Sequence, residues 1–276
     1  MELLDTPHVA FIGAGNMASS IIGGLVKSGH RASRISASDP YPPSLEKLQA
    51  IAPIAVSDSN AEAVKGADVI ILAVKPQVMA QACESIAESI QASGAVAISI
   101  AAGITLESLQ RRLGSSTPVI RAMPNTPALL GCGASGLFAS EQVSPRQKAY
   151  AESILRAVGI SSWVETEAEL DAITALSGSG PAYFFIFIES MIKVGIELGL
   201  DKETASAMAK QTALGASRMA IENDIDLGEL RRRVTSPGGT TERAVASFEQ
   251  NGLEAVVREA MLACADRAKE ISREMG

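Results

Sequence analysis

Apolar residues recur along this chain with two different periods, and the change from one to the other divides it. Short apolar runs at 9–12, 35–39, 54–56, 68–74, 95–100 and 119–122 alternate with stretches whose apolar positions repeat at helical spacing, such as Met17, Ile21, Ile22, Leu25 and Val26. The run at 68–74 is nearly uninterrupted, as expected of a parallel strand covered on both faces. Further strands are expected at 133–139 and 160–164, with helices at 44–50, 77–92, 106–113 and 145–157. Alternation over some 160 residues predicts an α/β Rossmann domain with a doubly wound, mostly parallel sheet. From Glu167 onward only helical periodicity remains, over 168–176, 181–198, 202–221, 227–234, 241–250 and 253–275. The expected organisation is therefore an α/β domain over 1–165 and an all-α domain over 166–276.

The first strand breaks at Gly13-Ala-Gly15-Asn16-Met17-Ala18 and gives way to a helix. This is the spacing of a dinucleotide fingerprint: Gly13 permits the turn, Gly15 lets backbone approach a pyrophosphate, and Ala18 replaces a third glycine where helix packs on strand. About 20 residues further on, where a ribose-reading group belongs, stand Ser36, Ser38 and Asp39. Asp39 suits a ribose hydroxyl and NADH, whereas the serines tolerate a 2′-phosphate; alternatively, Asp39-Pro40 only caps the next helix. Asn60 is either a helix N-cap or a coenzyme ligand. Lys75, before Pro76, sits where doubly wound sheets bind ligands, or is a surface lysine. Arg121-Ala-Met-Pro-Asn-Thr-Pro127 is a second polar loop at the carboxyl end of a strand.

In the helical half, 181–188 is apolar all round, so its helix should be buried on every side. In so small a domain that points to a second subunit, or else to the centre of a bundle. Two loops rich in small residues, 176–181 and 235–242, precede helices and could gather backbone N–H groups around a carboxylate; ordinary helix linkers share that composition.

Composition narrows the chemistry. With 276 residues, 47% hydrophobic and 20% charged, the chain should be globular, and a net charge of −7 disfavours nucleic acid and anionic membrane as partners. Cys83, Cys132 and Cys264 lie far apart, as packing residues of a reducing compartment would, and no metal-binding pattern is present. The N-terminus lacks the charge and apolar length of a signal peptide, and 181–188 is far short of a membrane span, so a cytoplasmic protein is expected. Both histidines, His8 and His30, flank the first strand and helix away from the ligand crevice, so no histidine base is expected.

Taken together, residues 13–18, Ala73-Val-Lys-Pro76, 121–127, Leu176-Ser-Gly-Ser-Gly-Pro-Ala-Tyr183 and Val234-Thr-Ser-Pro-Gly-Gly-Thr-Thr241 closely resemble pyrroline-5-carboxylate reductases, in the right order over essentially the whole chain. The resemblance implies reduction of 1-pyrroline-5-carboxylate to L-proline by NADPH, with NADH possible, in a homo-oligomer that is at least a dimer. It further implies that Ser236, Gly238, Gly239 and Thr240 hold the substrate carboxylate and that Thr241, the catalytic residue, stands near the ring nitrogen. Ser177 and Gly178 are implied to bind substrate beside the coenzyme, with Ala73, Val74, Lys75, Pro76, Met123 and Asn125 lining the nicotinamide side and Asn60 the adenosine ribose. β-Hydroxyacid dehydrogenases share the two-domain plan, but they resemble one another in a catalytic lysine early on the helix that here starts at 182 and whose first lysine is Lys193. A non-catalytic dinucleotide-binding protein is the other alternative.

Overall fold

The computed structural model describes residues 6–275. Its strands are β1 (Val9–Ile12), β2 (Ile35–Ser38), β3 (Ala55–Ser57), β4 (Val69–Leu72), β5 (Val96–Ser99), β6 (Val119–Met123), β7 (Gly133–Ala139) and β8 (Gly159–Trp163), which form one sheet in the order β3-β2-β1-β4-β5-β6-β7-β8. Every pairing is parallel except β6 with β7. The helices are α1 (Asn16–Lys27), α2 (Pro42–Ile51), α3 (Asn60–Ala63), α4 (Met79–Glu84), α5 (Ala87–Ser93), α6 (Leu106–Leu113), α7 (Pro145–Arg156), α8 (Glu169–Ile173), α9 (Gly180–Glu197), α10 (Lys202–Glu222), α11 (Leu227–Arg233), α12 (Thr240–Gln250) and α13 (Leu253–Met275).

The central strands are apolar throughout because both of their faces are buried. Val9 and Phe11 of β1, with Val69 and Ile71 of β4, belong to one core cluster, while Ala10, Ile12, Ile70 and Leu72 belong to the other. The reversal of strand order between β1 and β4 opens the crevice in which such sheets take ligands.

Where one helix is expected over 77–92, two stand. Ser85 Oγ donates to the Ala82 carbonyl and Ile86 N–H to that of Cys83, so the turn tightens and α4 ends before α5 begins. Among the described residues, 6–179 with 264–275 form one compact unit and 180–263 the other, so the packing boundary differs from the expected one near 165. Leu170 and Ala175 are buried, Ile173 packs where a Cβ on Gly136 of β7 would stand, and a Cβ on Gly103 would collide with Ile271 of α13. These contacts hold both segments to the sheet-bearing unit although their sequence is helical.

In the second unit Gly199 (φ 103°) turns the chain after α9, and Asp201 caps α10 by accepting the Thr204 N–H. Gly195 faces Ala205, so α9 and α10 pack closely. Phe187 and Phe248 rings lie 6.0 Å apart. The expectation that α9 is buried on every side does not hold within a single chain: Phe184, Phe185 and Ile186 are 62–64% exposed. By length and composition alone the continuous helical stretch Glu169–Glu197 could cross a membrane. Of the cysteines, Cys83 is a packing residue whose thiol burial pushes up to about 11, whereas Cys132 is exposed and Cys264 is half-buried with Sγ 3.2 Å from Ser179 Oγ.

Candidate functional site

A cleft of about 400 Å3 opens at the carboxyl ends of β1, β2 and β4, and Gly13, Ser38, Asp39, Asn60 and Val74 line it. Gly13 has φ 99°, and a Cβ there would stand 2.6 Å from the Ala73 carbonyl oxygen, so only glycine fits the turn. At Gly15 an added Cβ would meet nothing within 4 Å: that side of the loop is open. Gly15 is the N-cap of α1 and offers no capping side chain, while Ala18 is fully buried against the sheet. An uncapped helix start beside a roomy cleft at the switch point fits a dinucleotide pyrophosphate.

Asp39 follows β2 directly. Its Oδ2 accepts the Ala14 N–H (2.9 Å) and its Oδ1 the Tyr41 N–H (2.9 Å). The cap of α2 is Tyr41, not Asp39. Ser38 is fully buried and donates to Asn60 Oδ1 (2.7 Å), and Asn60 Nδ2 donates to Ser85 Oγ (2.9 Å). Ser59 rather than Asn60 caps α3, accepting the Glu62 N–H. Asn60 is thus a strut across the cleft wall, joining β2 to the end of α4. Lys75 is exposed and precedes a 3-10 turn, Pro76–Val78; neither Lys75, Pro76 nor Ala73 is part of the cleft lining.

Met123 and Asn125 lie two strands away, at the end of β6. The Asn125 amide is buried and used on both sides: Nδ2 donates to the Ser177 carbonyl (2.9 Å), and Oδ1 accepts the Ala134 N–H (2.9 Å). Residues Thr174–Gly178 form a π-helical turn, and a Cβ on Gly178 would lie 2.6 Å from Met123 Cε. Met123, Asn125, Ser177 and Gly178 therefore form one packed group in the sheet-bearing unit. π-Helical turns recur at functional sites. Arg121, also on β6, is buried and pairs with Glu167 (2.6 Å), whose Oε1 also accepts the Leu106 N–H at the start of α6. Burial pushes the nearby Asp171 carboxyl up, against the pull of Arg121.

The loop 235–241 belongs to the other unit. Gly238 has φ 71° and its N–H is donated to Glu242 Oε2 (2.8 Å); the Gly239 N–H is donated to the Ser236 carbonyl (3.0 Å). Both glycine N–H groups bond within the loop here. Ser236 and Thr240 are exposed and Thr241 is half-buried, and α12 starts without a side-chain cap. The chemistry left to this loop is hydroxyl donation beside a helix N-terminus.

Sequence reasoning missed Glu167, Glu242 and the Asp58 carboxylate in the cleft wall. Glu242 was findable, since it stands three residues into a helix whose first turn favours a carboxylate. Glu167 carries no local signal, because its partner lies 46 residues away.

Comparison with known proteins places these features in context. Residues 167–271 match a family model described as pyrroline-5-carboxylate reductase dimerisation, and residues 8–103 one described as NADP oxidoreductase coenzyme F420-dependent. A pyrroline-5-carboxylate reductase of Pseudomonas aeruginosa is 51% identical over 99% of this chain and 100% of its own, and one of Pasteurella multocida 42% over 98% and 99%. Among solved structures, a pyrroline-5-carboxylate reductase from Coxiella burnetii superposes with a TM-score of 0.94 at 41% identity, covering 97% of this chain and 99% of that one. The Plasmodium falciparum enzyme with NADP bound gives 0.85 at 28%, covering 98% and 100%.

Proposed function

Because the chain belongs to the pyrroline-5-carboxylate reductase family, we propose that it reduces 1-pyrroline-5-carboxylate to L-proline with NADPH or NADH, the last step of proline biosynthesis. Two features of one chain support this reading together: an uncapped helix start after Gly13-x-Gly15, and a second uncapped helix start, α12, where Ser236, Thr240 and Thr241 stand. The nicotinamide coenzyme, when bound, supplies the hydride.

The residues have the following roles. Gly13, Gly15, Asn16 and Met17 hold the pyrophosphate while Ala18 seats their helix on the sheet, and Asp39, with Ser38 and Asn60 behind it, holds the adenosine ribose. Ala73, Val74, Lys75, Pro76 and Met123 flank the nicotinamide, and Asn125 supports the turn of Ser177 and Gly178. Ser236 and Thr240 donate to the substrate carboxylate while Gly238 and Gly239 shape the turn. Thr241 donates to the ring nitrogen; a protonated cyclic imine is already electrophilic, so orientation and charge stabilisation suffice without a strong base. Residues 1–165 serve the coenzyme, and 166–276 serve substrate and self-association. The exposed aromatic face of α9 packs against a second copy rather than a bilayer, in a cytoplasmic homo-oligomer.

The test is oxidation of NADPH and NADH with and without 1-pyrroline-5-carboxylate, by wild type and Thr241→Ala. Substrate-dependent oxidation is expected, with kcat/KM for the imine lowered about 100-fold in the variant, as for loss of one transition-state donor, and coenzyme affinity unchanged. Wild-type turnover by the variant would remove Thr241 from the mechanism.

A further inference from the structure

Residues 236–239 close a turn on themselves. The Gly239 N–H donates to the Ser236 carbonyl (3.0 Å), Pro237 stands second and Gly238, with φ 71°, stands third, the arrangement of a type II turn. That closure uses the N–H of the fourth residue and leaves the N–H of the third to a group outside the turn. In this chain a carboxylate takes it: Glu242 Oε2 accepts the Gly238 N–H at 2.8 Å. The contact differs from an ordinary capping box. Gly239 is the N-cap of α12, which makes Glu242 the third helical residue, and in a capping box that residue reaches back to the N–H of the N-cap itself. Here the N-cap N–H is already spent on Ser236, Gly239 has no side chain with which to reciprocate, and Glu242 reaches one residue further back. Gly238 and Glu242 are both exposed, so the bond can exchange with another acceptor without unfolding the helix.

We propose that Glu242 is a built-in competitor of the substrate: its carboxylate occupies the Gly238 N–H in the unliganded loop, and the carboxylate of the incoming imine displaces it. The proposal rests on the reading of 235–241 as the substrate loop given above. A carboxylate arriving between the Ser236 and Thr240 hydroxyls gains a third donor only when Glu242 lets go. The affinity observed for any carboxylate ligand is then the intrinsic affinity reduced to the fraction of loops that stand open. The product carries the same carboxylate, so the return of Glu242 to Gly238 also hastens its release. An imine without a carboxylate has nothing to exchange for Glu242 and meets no such competition. Glu242 thereby sets how tightly the loop grips substrate and product and leaves the reacting ring to Thr241.

The experiment compares the intact wild-type protein with Glu242→Ala and Glu242→Asp at saturating coenzyme. Glu242→Asp keeps the negative charge that suits a helix start but is one methylene too short to reach Gly238, which guards against a variant that merely loses its helix. KM for 1-pyrroline-5-carboxylate and the calorimetric dissociation constant of L-proline should each fall roughly fivefold in both variants, as for removal of one exposed charge-assisted hydrogen bond that holds most loops closed. Because product then leaves more slowly, kcat should stay level or fall. Turnover of 1-pyrroline, which lacks the carboxylate, should not improve. An unchanged or raised KM in both variants overturns the proposal, as does an equal gain for 1-pyrroline, which would make Glu242 a general obstruction. Glu242→Asp matching wild type also overturns it, since charge alone would then account for the effect. If wild type fails to reduce the imine while L-proline still binds more tightly to both variants, the assigned reaction falls and the competition stands. Turnover with affinities indifferent to Glu242 does the reverse, and a wild type that neither reduces the imine nor binds L-proline removes both.

Discussion

Removing Glu167 tests whether the buried charge on β6 is held by a single partner. Arg121 has a side chain only 9% exposed, and its Nη1 lies 2.6 Å from Glu167 Oε1, the same oxygen that accepts the Leu106 N–H. Glu167→Ala leaves a buried guanidinium and a helix-start N–H without their acceptor, and stranding one member of a buried pair costs about 3–5 kcal/mol. Glu167 is itself 32% exposed, so water can reach part of the vacated site, and Asp171 lies close enough to feel Arg121. The expected loss is therefore nearer to 2–4 kcal/mol, or roughly 5–15 °C in the melting of a unit of this size. Urea denaturation and thermal melting followed by circular dichroism measure it. The double variant Arg121→Met, Glu167→Leu removes both charges and should recover about half or more of the loss, the Leu106 N–H still lacking its acceptor. A loss below about 1 kcal/mol in Glu167→Ala, the value of a surface ion pair, would refute the reasoning. So would a double variant no better than the single one.

Two further outcomes follow from groups whose role only the coordinates reveal. Asn125→Ala, which cuts the amide link between β7 and the Ser177 carbonyl, should lower kcat about tenfold or more while NADH affinity changes little, because a misplaced supporting group costs orientation rather than binding; equal losses in both would return Asn125 to direct coenzyme contact. Burial holds the His30 imidazole below its usual 6.5. The unfolded chain therefore takes up a proton just below that pH which the folded chain refuses, and stability falls as pH is lowered through that window. His30→Gln should flatten the fall of melting temperature on acidification, and a variant that tracks wild type would show the slope to arise elsewhere.

The alternation of apolar runs and helical stretches was enough to place the strands over the first 164 residues, though not the break between α4 and α5, because central parallel strands such as β1 and β4 are buried on both faces and run apolar throughout. Helix 106–113 and strand 133–139 stand where periodicity put them. The glycines of the first loop were legible for a related reason: a φ of 99° beside the Ala73 carbonyl admits no other residue. Local chemistry misled where two partners compete for one group. Asn60 reads as a helix cap, yet Ser59, one residue earlier, takes the Glu62 N–H and frees Asn60 to bridge β2 and α4. Gly238 and Gly239 donate instead to Glu242 and to the Ser236 carbonyl within their own turn.

By itself the sequence determined the two-period plan, the nucleotide-binding turn and the set of loops from which a site could be drawn, all of which depend on residues near one another in the chain. Tertiary structure alone decided how those residues are used. It buried Ser36 and Ser38 and left Asp39 facing the cleft, paired Arg121 with Glu167 across 46 residues, and tied Asn125 to the turn at Ser177. The physical reason is that a side chain's hydrogen-bonding capacity is small and is claimed by whichever neighbour folding brings within about 3 Å, a contest that sequence spacing does not encode.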